Sequence, residues 1–157
     1  MNIRKMKIDD YEEVKNLQMQ VYKLHLKNRP DIYFKTQSFF NFEYFLEQLN
    51  DDNTLNFVCH DGGKVVGIIL ASLKKPSKVP FIKKRKVVYV DSIVVDKYYQ
   101  HKGVGTKMFN YLSNFAKKNN VESIELNVWY FNESAKEFYN HLGMTQKNIT
   151  YEMKIKG

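Results

Sequence analysis

Val87-Val88-Tyr89-Val90-Asp91-Ser92-Ile93-Val94-Val95 decides the fold, together with Gln100-His101-Lys102-Gly103-Val104-Gly105-Thr106 a short loop later. The first part, from Lys86 on, is a nearly continuous apolar run, the pattern of a strand (86–95) buried on both faces. Only Asp91 and Ser92 interrupt it. The second part opens a helix over 103–118, in which Val104, Met108, Tyr111, Leu112 and Phe115 point inward. Glycines at a strand-to-helix junction let a ligand approach the backbone, because no β-carbon intervenes. The N–H groups of residues 102–106 have no helical partner and carry the positive end of the helix dipole, so they suit a pyrophosphate.

The common phosphate-binding patterns do not fit. G-x-x-x-x-G-K-[ST] is absent. G-x-G-x-x-G would place a small residue at 108, where Met108 stands and blocks close helix–strand packing.

Working outward, residues 2–6 read as a short strand. Asp9 precedes a helix in which Glu12 occupies the capping-box position, and Val14, Leu17, Val21 and Leu24 form an apolar stripe. Asn28-Arg29-Pro30-Asp31 ends that helix. A second helix is predicted over 38–50, capped by Ser38, with Phe42, Phe45, Leu46 and Leu49 on one face. Strands over 54–60 and 64–73 flank Asp61-Gly62-Gly63, a hairpin turn. After the 103–118 helix come a strand over 122–129, a helix over 132–141 stopped by Gly143, and one or two closing strands in 145–155. The order β-α-α-β-β-β-α-β-α-β predicts an α/β (α+β) single domain over 1–157. Its sheet is mixed but mostly antiparallel, with helices on both sides.

Composition narrows the function classes. With 157 residues, one domain burying roughly 68–70% of its unfolded surface is expected. The 43% apolar, 27% charged and 15% aromatic residues exclude a disordered or low-complexity chain. Cys59 alone makes no intramolecular disulfide, and its strand context reads as a small core residue. No Cys/His cluster has metal spacing. No signal peptide and no membrane span is evident, so a cytoplasmic location is expected. The net charge of +8 invites a nucleic-acid reading, but of 25 basic residues 22 are Lys and only Arg4, Arg29 and Arg85 are the preferred phosphate and guanine readers. Seven cations (Lys74, Lys75, Lys78, Lys83, Lys84, Arg85, Lys86) fall in the acid-free segment 74–86, read as a solvated loop.

Gln100-x-x-Gly103-x-Gly105 after an apolar strand resembles the Q/R-x-x-G-x-G/A motif of the GNAT superfamily of N-acetyltransferases. A second block, Asn132, Ala135, Phe138-Tyr139 and Leu142-Gly143-Met144, is similar to that family's N-x-x-A-x-x-F-Y-x-x-x-G-F segment, with Met144 replacing the usual aromatic. The order of elements is also the family's. The resemblance implies an acetyl-CoA-dependent N-acetyltransferase with no metal, acting on a primary amine of a small molecule or protein by direct attack in a ternary complex. It implies that Gln100, His101, Lys102, Gly103, Val104, Gly105 and Thr106 hold the pyrophosphate. Backbone groups of Ile93, Val94 and Val95 would meet the pantetheine arm, Asn132 would contact it, and Tyr139 would protonate the departing thiolate. Homodimers are common in the family.

An attacking amine must be neutral although alkyl ammonium groups titrate near ~10, so a general base is expected. Asp91 is the leading base: a carboxylate inside a buried strand has a raised pKa. The alternative is a structural acid bonded to Ser92, a turn or a Lys. A backbone N–H near Val94 or Val95 suits an oxyanion. Tyr33 and Phe34, in a loop within an aromatic-rich stretch, are candidates for the acceptor pocket, and His25 for a second base. Two other readings stand beside the enzyme: a non-catalytic acyl-CoA-binding module of the same fold, and a basic nucleic-acid-binding domain, which the scarcity of Arg disfavours.

Overall fold

The computed structural model describes residues 1–156. The chain divides into two compact units, Met1–Asn127 and Val128–Gly157. The first contains β1 (Asn2–Lys5), α1 (Tyr11–Asn28), α2 (Phe42–Asn50), β2 (Phe57–Asp61), β3 (Lys64–Leu73), β4 (Val87–Val95), α3 (Val104–Lys118) and β5 (Ser123–Leu126). Its sheet runs β1-β2-β3-β4-β5; every pair is antiparallel except β4 and β5, which are joined through α3 and run parallel. Gly62 and Gly63, at φ 56° and 83°, make the β2–β3 hairpin turn as expected.

Two apolar clusters cover the sheet. In one, Val66, Ile69, Ala71, Val88 and Val90 pack with Val104, Met108 and Leu112 of α3. In the other, Val58, Val65, Ile68, Leu70 and Val94 pack with Val14 and Leu17 of α1, and with Phe40 and Phe45. Tyr111, expected to point inward, is more than a third exposed, and Phe109 and Ala116 are buried with Leu112 instead. Phe42, expected in the core, is 43% exposed because Phe40 and Phe45 fill that space. Gly67 makes room for α3: a β-carbon there would lie 2.6 Å from the Met108 sulfur and 3.3 Å from the Val94 carbonyl oxygen. The bulky residue that argued against a dinucleotide fold is thus seated in a hole left by a glycine on β3.

β4 is irregular. Leu70 pairs with Ser92 and Ala71 with Val90, so Asp91 is an extra residue with no partner on β3. This is a β-bulge, which re-aims one side chain and bends its strand. β5 pairs only with Val87–Val90. The β5 ladder therefore ends at Val90 and does not continue along 91–95.

Local signals also differ from expectation. Asp10, not Asp9, organises the entry to α1: its buried carboxylate takes a two-pronged Arg4 guanidinium at 2.8 Å on each oxygen, and the Lys7 N–H at 2.7 Å. The second helix begins at Phe42 rather than Ser38, because the Asn41 side chain accepts the Tyr44 N–H at 2.8 Å. The 74–86 loop is not simply solvated. Lys74 pairs with Glu125 at 3.1 Å, Arg85 with Glu125 at 3.6 Å and Glu122 at 3.9 Å, and Lys86 donates to the Asn119 carbonyl at 2.7 Å.

The second unit contains α4 (Glu133–His141). Asn132 caps it by accepting the Ala135 N–H at 3.1 Å, and Gly143 at φ 86° closes it. Trp129 stacks on Phe131 before the helix. No strand is assigned over the expected 145–155 among the described residues, and β5 is shorter than the predicted 122–129. Through α4 the elements follow the expected order. Among the described residues no helix is long and apolar enough to cross a membrane, and no cluster of His, Cys, Asp and Glu could hold a metal.

Candidate active site

The loop between β4 and α3 is built by its own polar groups. Asp96 is buried at the end of β4; its carboxylate accepts the Tyr98 N–H at 2.9 Å and meets Lys64 at 3.3 Å, while its carbonyl accepts the Tyr99 N–H at 2.8 Å. The Tyr98 N–H, opposed by burial and helped by Lys64, holds this carboxyl below the usual carboxylate range. Gln100 reaches back and donates its side-chain amide to the Val95 carbonyl at 3.1 Å. The residue that the motif assigns to the ligand is here a brace between loop and strand. His101 and Gly103 take left-handed backbone at φ 60° and 81°. Lys107 N–H bonds the Gly103 carbonyl, so the first turn of α3 leaves its own N–H groups without helical partners. A β-carbon at 103 would meet nothing within 4 Å. The space over the loop is open, and a phosphate group fits such a cradle. Gly103 and Thr106 also border a shallow groove with Ile3 and Asn110, which does not reach Asp91 or Ile93.

The bulge fixes Asp91. The sequence predicted it buried; it is exposed, because the extra residue turns it out of the ladder. Partial desolvation still pushes its carboxyl up, as expected for a base. Its negative charge, after burial itself, raises the phenols of Tyr44 and Tyr89, which places both rings within its electrostatic reach. Neither tyrosine was singled out by sequence. Tyr44 lies in the aromatic stretch but on an unpredicted helix face, and Tyr89 reads as ordinary strand filling. Ser92 turns to α1 and contacts Gln18 at 3.4 Å.

The segment after α1 is held by Tyr22, whose hydroxyl donates to the Phe34 carbonyl at 2.7 Å and accepts the Thr36 N–H at 2.8 Å. Of the predicted acceptor residues, Phe34 is 76% exposed, and Tyr33 lies 5.0 Å from the His25 ring, centroid to centroid. Burial holds His25 below its ordinary pKa, so it is a neutral ring near pH 7. Cys59 is buried and burial raises its thiol, consistent with a packing role.

In the second unit Tyr139 lies on α4, its ring 5.2 Å from Phe138 and edge-on to it. Burial pushes its phenol up to about 12. The Asn132 carboxamide oxygen is used by the helix cap.

The description "Acetyltransferase (GNAT) family" matches residues 16–144. The chain belongs to that family of acetyltransferases. It is 29% identical to an uncharacterized N-acetyltransferase of Methanocaldococcus jannaschii, over 90% of this chain and 71% of that protein. It resembles the crystal structure of a mutant of the BH1408 protein from Bacillus halodurans, with TM-score 0.95 and 31% identity, over 99% of this chain and 100% of that one. The aminoglycoside N-acetyltransferase AAC(6')-Iy, solved in complex with CoA, shares the fold with TM-score 0.70 and 17% identity, over 98% of each chain.

Proposed function

We propose that the protein is an acetyl-CoA-dependent N-acetyltransferase acting on a primary amine, with residues 1–157 forming one catalytic domain. The observation that carries this reading is the junction of β4 and α3. A glycine loop with left-handed backbone and open space above it follows a strand whose ladder with β5 stops at Val90, short of its 91–95 half. The loop's N–H groups would hold the pyrophosphate, and the free backbone edge of Ile93 to Val95 would receive the pantetheine arm. His101, Lys102, Val104, Gly105 and Thr106 contribute through the same loop, and Gln100 by bracing it.

The chemistry assigned to this chain's residues is acid–base. Asp91 takes a proton from the attacking amine, directly or through water, and its raised pKa brings it closer to neutral operation. The amine nitrogen forms the amide bond while the thioester C–S bond breaks. A backbone N–H near Val94 or Val95 stabilises the oxyanion, and Tyr139 returns a proton to the sulfur. Tyr33, Phe34 and His25 are proposed on the acceptor side. The aminoglycoside acetyltransferase among the structural neighbours supports small-molecule amines as the first acceptors to try. Purified protein with acetyl-CoA and an amine panel, followed by free thiol release, tests the reading. Acetyl-CoA binding without thiol release on any amine would favour the non-catalytic acyl-CoA module.

A further inference from the structure

The 74–86 segment leaves β3 at Leu73 and returns as β4 at Val87. Its two ends are tied down: Lys74, Arg85 and Lys86 are anchored on Glu122, Glu125 and the Asn119 carbonyl. Between these anchors the Ile82 N–H donates to the Val79 carbonyl at 3.1 Å, which makes a turn with Pro80 and Phe81 at its apex. The apex is apolar. Val79, Phe81 and Ile82 are 39%, 87% and 48% exposed, and Pro80 is exposed among them. A run of consecutive apolar residues left in solvent contributes nothing to the core and marks a contact surface. Lys75 and Lys78 precede the apex, and Lys83 and Lys84 follow it. All four are exposed, and none has an acidic partner among the described residues.

Shape and composition limit the partner. A few side chains on a convex turn offer far less than the roughly 800 Å² per partner of a stable protein interface. Nucleic acid is held by Arg and by aromatic faces that stack on bases. Here the one arginine of the segment is engaged by Glu122 and Glu125, and the apex sets a single aromatic ring among valine, proline and isoleucine. Aliphatic side chains inside a collar of lysines fit the boundary between lipid headgroups and acyl chains. There an apolar tip sinks about 5–10 Å while ammonium groups meet anionic headgroups.

We propose that the 74–86 loop docks this protein reversibly on an anionic bilayer surface. Val79, Phe81 and Ile82 enter the headgroup–acyl boundary, and Lys75, Lys78, Lys83 and Lys84 lie on the headgroups. A surface contact of this kind needs no membrane-crossing helix. Leu73 pairs with Val88 and Gly67 with Val95, so the loop stands at the opposite end of β4 from the glycine loop. The nine residues of that strand set the two about 30 Å apart. The proposal does not depend on the acetyltransferase reading.

Flotation of the intact protein with vesicles of phosphatidylglycerol and phosphatidylcholine, and with phosphatidylcholine alone, tests this. Binding to the anionic vesicles is expected, weakening with added salt and at least about tenfold poorer on the neutral ones. Phe81→Ser with Ile82→Ser should lower partitioning about tenfold or more at unchanged net charge. Lys83→Gln with Lys84→Gln should lower it about twentyfold. Lys23→Gln with Lys27→Gln removes the same charge from α1 and should change it less than about twofold. The replaced side chains are exposed, so all three variants should melt with the parent. No binding to anionic vesicles at low salt, binding indifferent to the paired serines, or equal losses from the two glutamine pairs would each overturn the proposal. So would loop-dependent retention of single-stranded RNA by a chain that ignores vesicles.

Discussion

The Met108 sulfur sits where a β-carbon on Gly67 would approach to 2.6 Å, so β3 carries a glycine under the first turns of α3. Met108 is fully buried and the Val94 carbonyl closes the site from another side at 3.3 Å. Gly67→Ala must push Met108 off its rotamer. Overpacking of this kind costs about 1–3 kcal/mol. A fall in melting temperature of several degrees is expected, and Met108→Ala in the same chain should recover part of it. Equal melting of wild type and Gly67→Ala would show that the helix has slack.

Asp10 supplies an acid-sensitive anchor. Burial alone would raise its carboxyl, but the Arg4 fork and the Lys7 N–H overcome this and hold it below the ordinary range. A carboxylate with a lowered folded pKa adds stability that is complete above the unfolded value of about 3.9 and is lost as pH falls through the folded pKa. Asp10→Asn should therefore destabilise at pH 7, by about 2–3 kcal/mol for one partner lost from a largely buried charged hydrogen bond. The difference should shrink in strong acid. Urea titrations at both pH values measure it.

Asp91→Asn should lower turnover about 10²–10⁴-fold, the range for general-base catalysis. Because the carboxyl is raised, the wild-type rate should fall on the acid side at a pH above the usual carboxylate range, and the variant should lack that limb. Identical pH–rate curves would leave Asp91 a structural bulge residue.

Tyr139, pushed up to about 12, stays protonated through the working range, so its titration should not shape the rate at moderately alkaline pH. Tyr139→Phe keeps the ring beside Phe138 and removes the proton. Turnover should fall at least about tenfold with the KM for acetyl-CoA unchanged. A variant as fast as the parent would assign thiolate protonation to water.

Gly103→Val places a branched side chain on left-handed backbone, at a cost of about 1–2 kcal/mol, and fills the space above the loop. Acetyl-CoA affinity should drop about tenfold or more, read by calorimetry without any acceptor. Unchanged affinity would move the phosphate site away from the loop.

The sequence was most informative where chemistry is local. β3 falls at its predicted 64–73, the Gly62-Gly63 turn is where glycine is needed, and the Gly103 loop opens α3 as its composition requires. What escaped depends on partners distant in sequence. Asp91 reads as a buried acid because an apolar run does not reveal which residue β3 will skip. Tyr44, on α2, meets Asp91's field only through tertiary placement, whereas Tyr89 stands two residues away on the same strand and its coupling to Asp91 was hidden by the apolar run around it. Asp96 was legible in principle, since Asp two residues before an N–H it can accept is a turn signal, but it stood in the shadow of the glycines.

The bulge at Asp91 also sets the parity of β4. Before it, even-numbered Val88 and Val90 join the α3-side cluster; after it, odd-numbered Ile93 and Val95 do, while Val94 crosses to the α1 side. The strand is read in two frames, and Asp91 is the inserted letter between them. Position 91 can exchange one side chain for another with the packing of β4 kept. Removing the residue would leave a regular strand with the same facing, Ile93 and Val95 toward α3 and Val94 toward α1, whereas flattening the bulge with Asp91 kept in the ladder would invert 92–95. The insertion lets one side chain leave the ladder while both halves of the strand keep their packing.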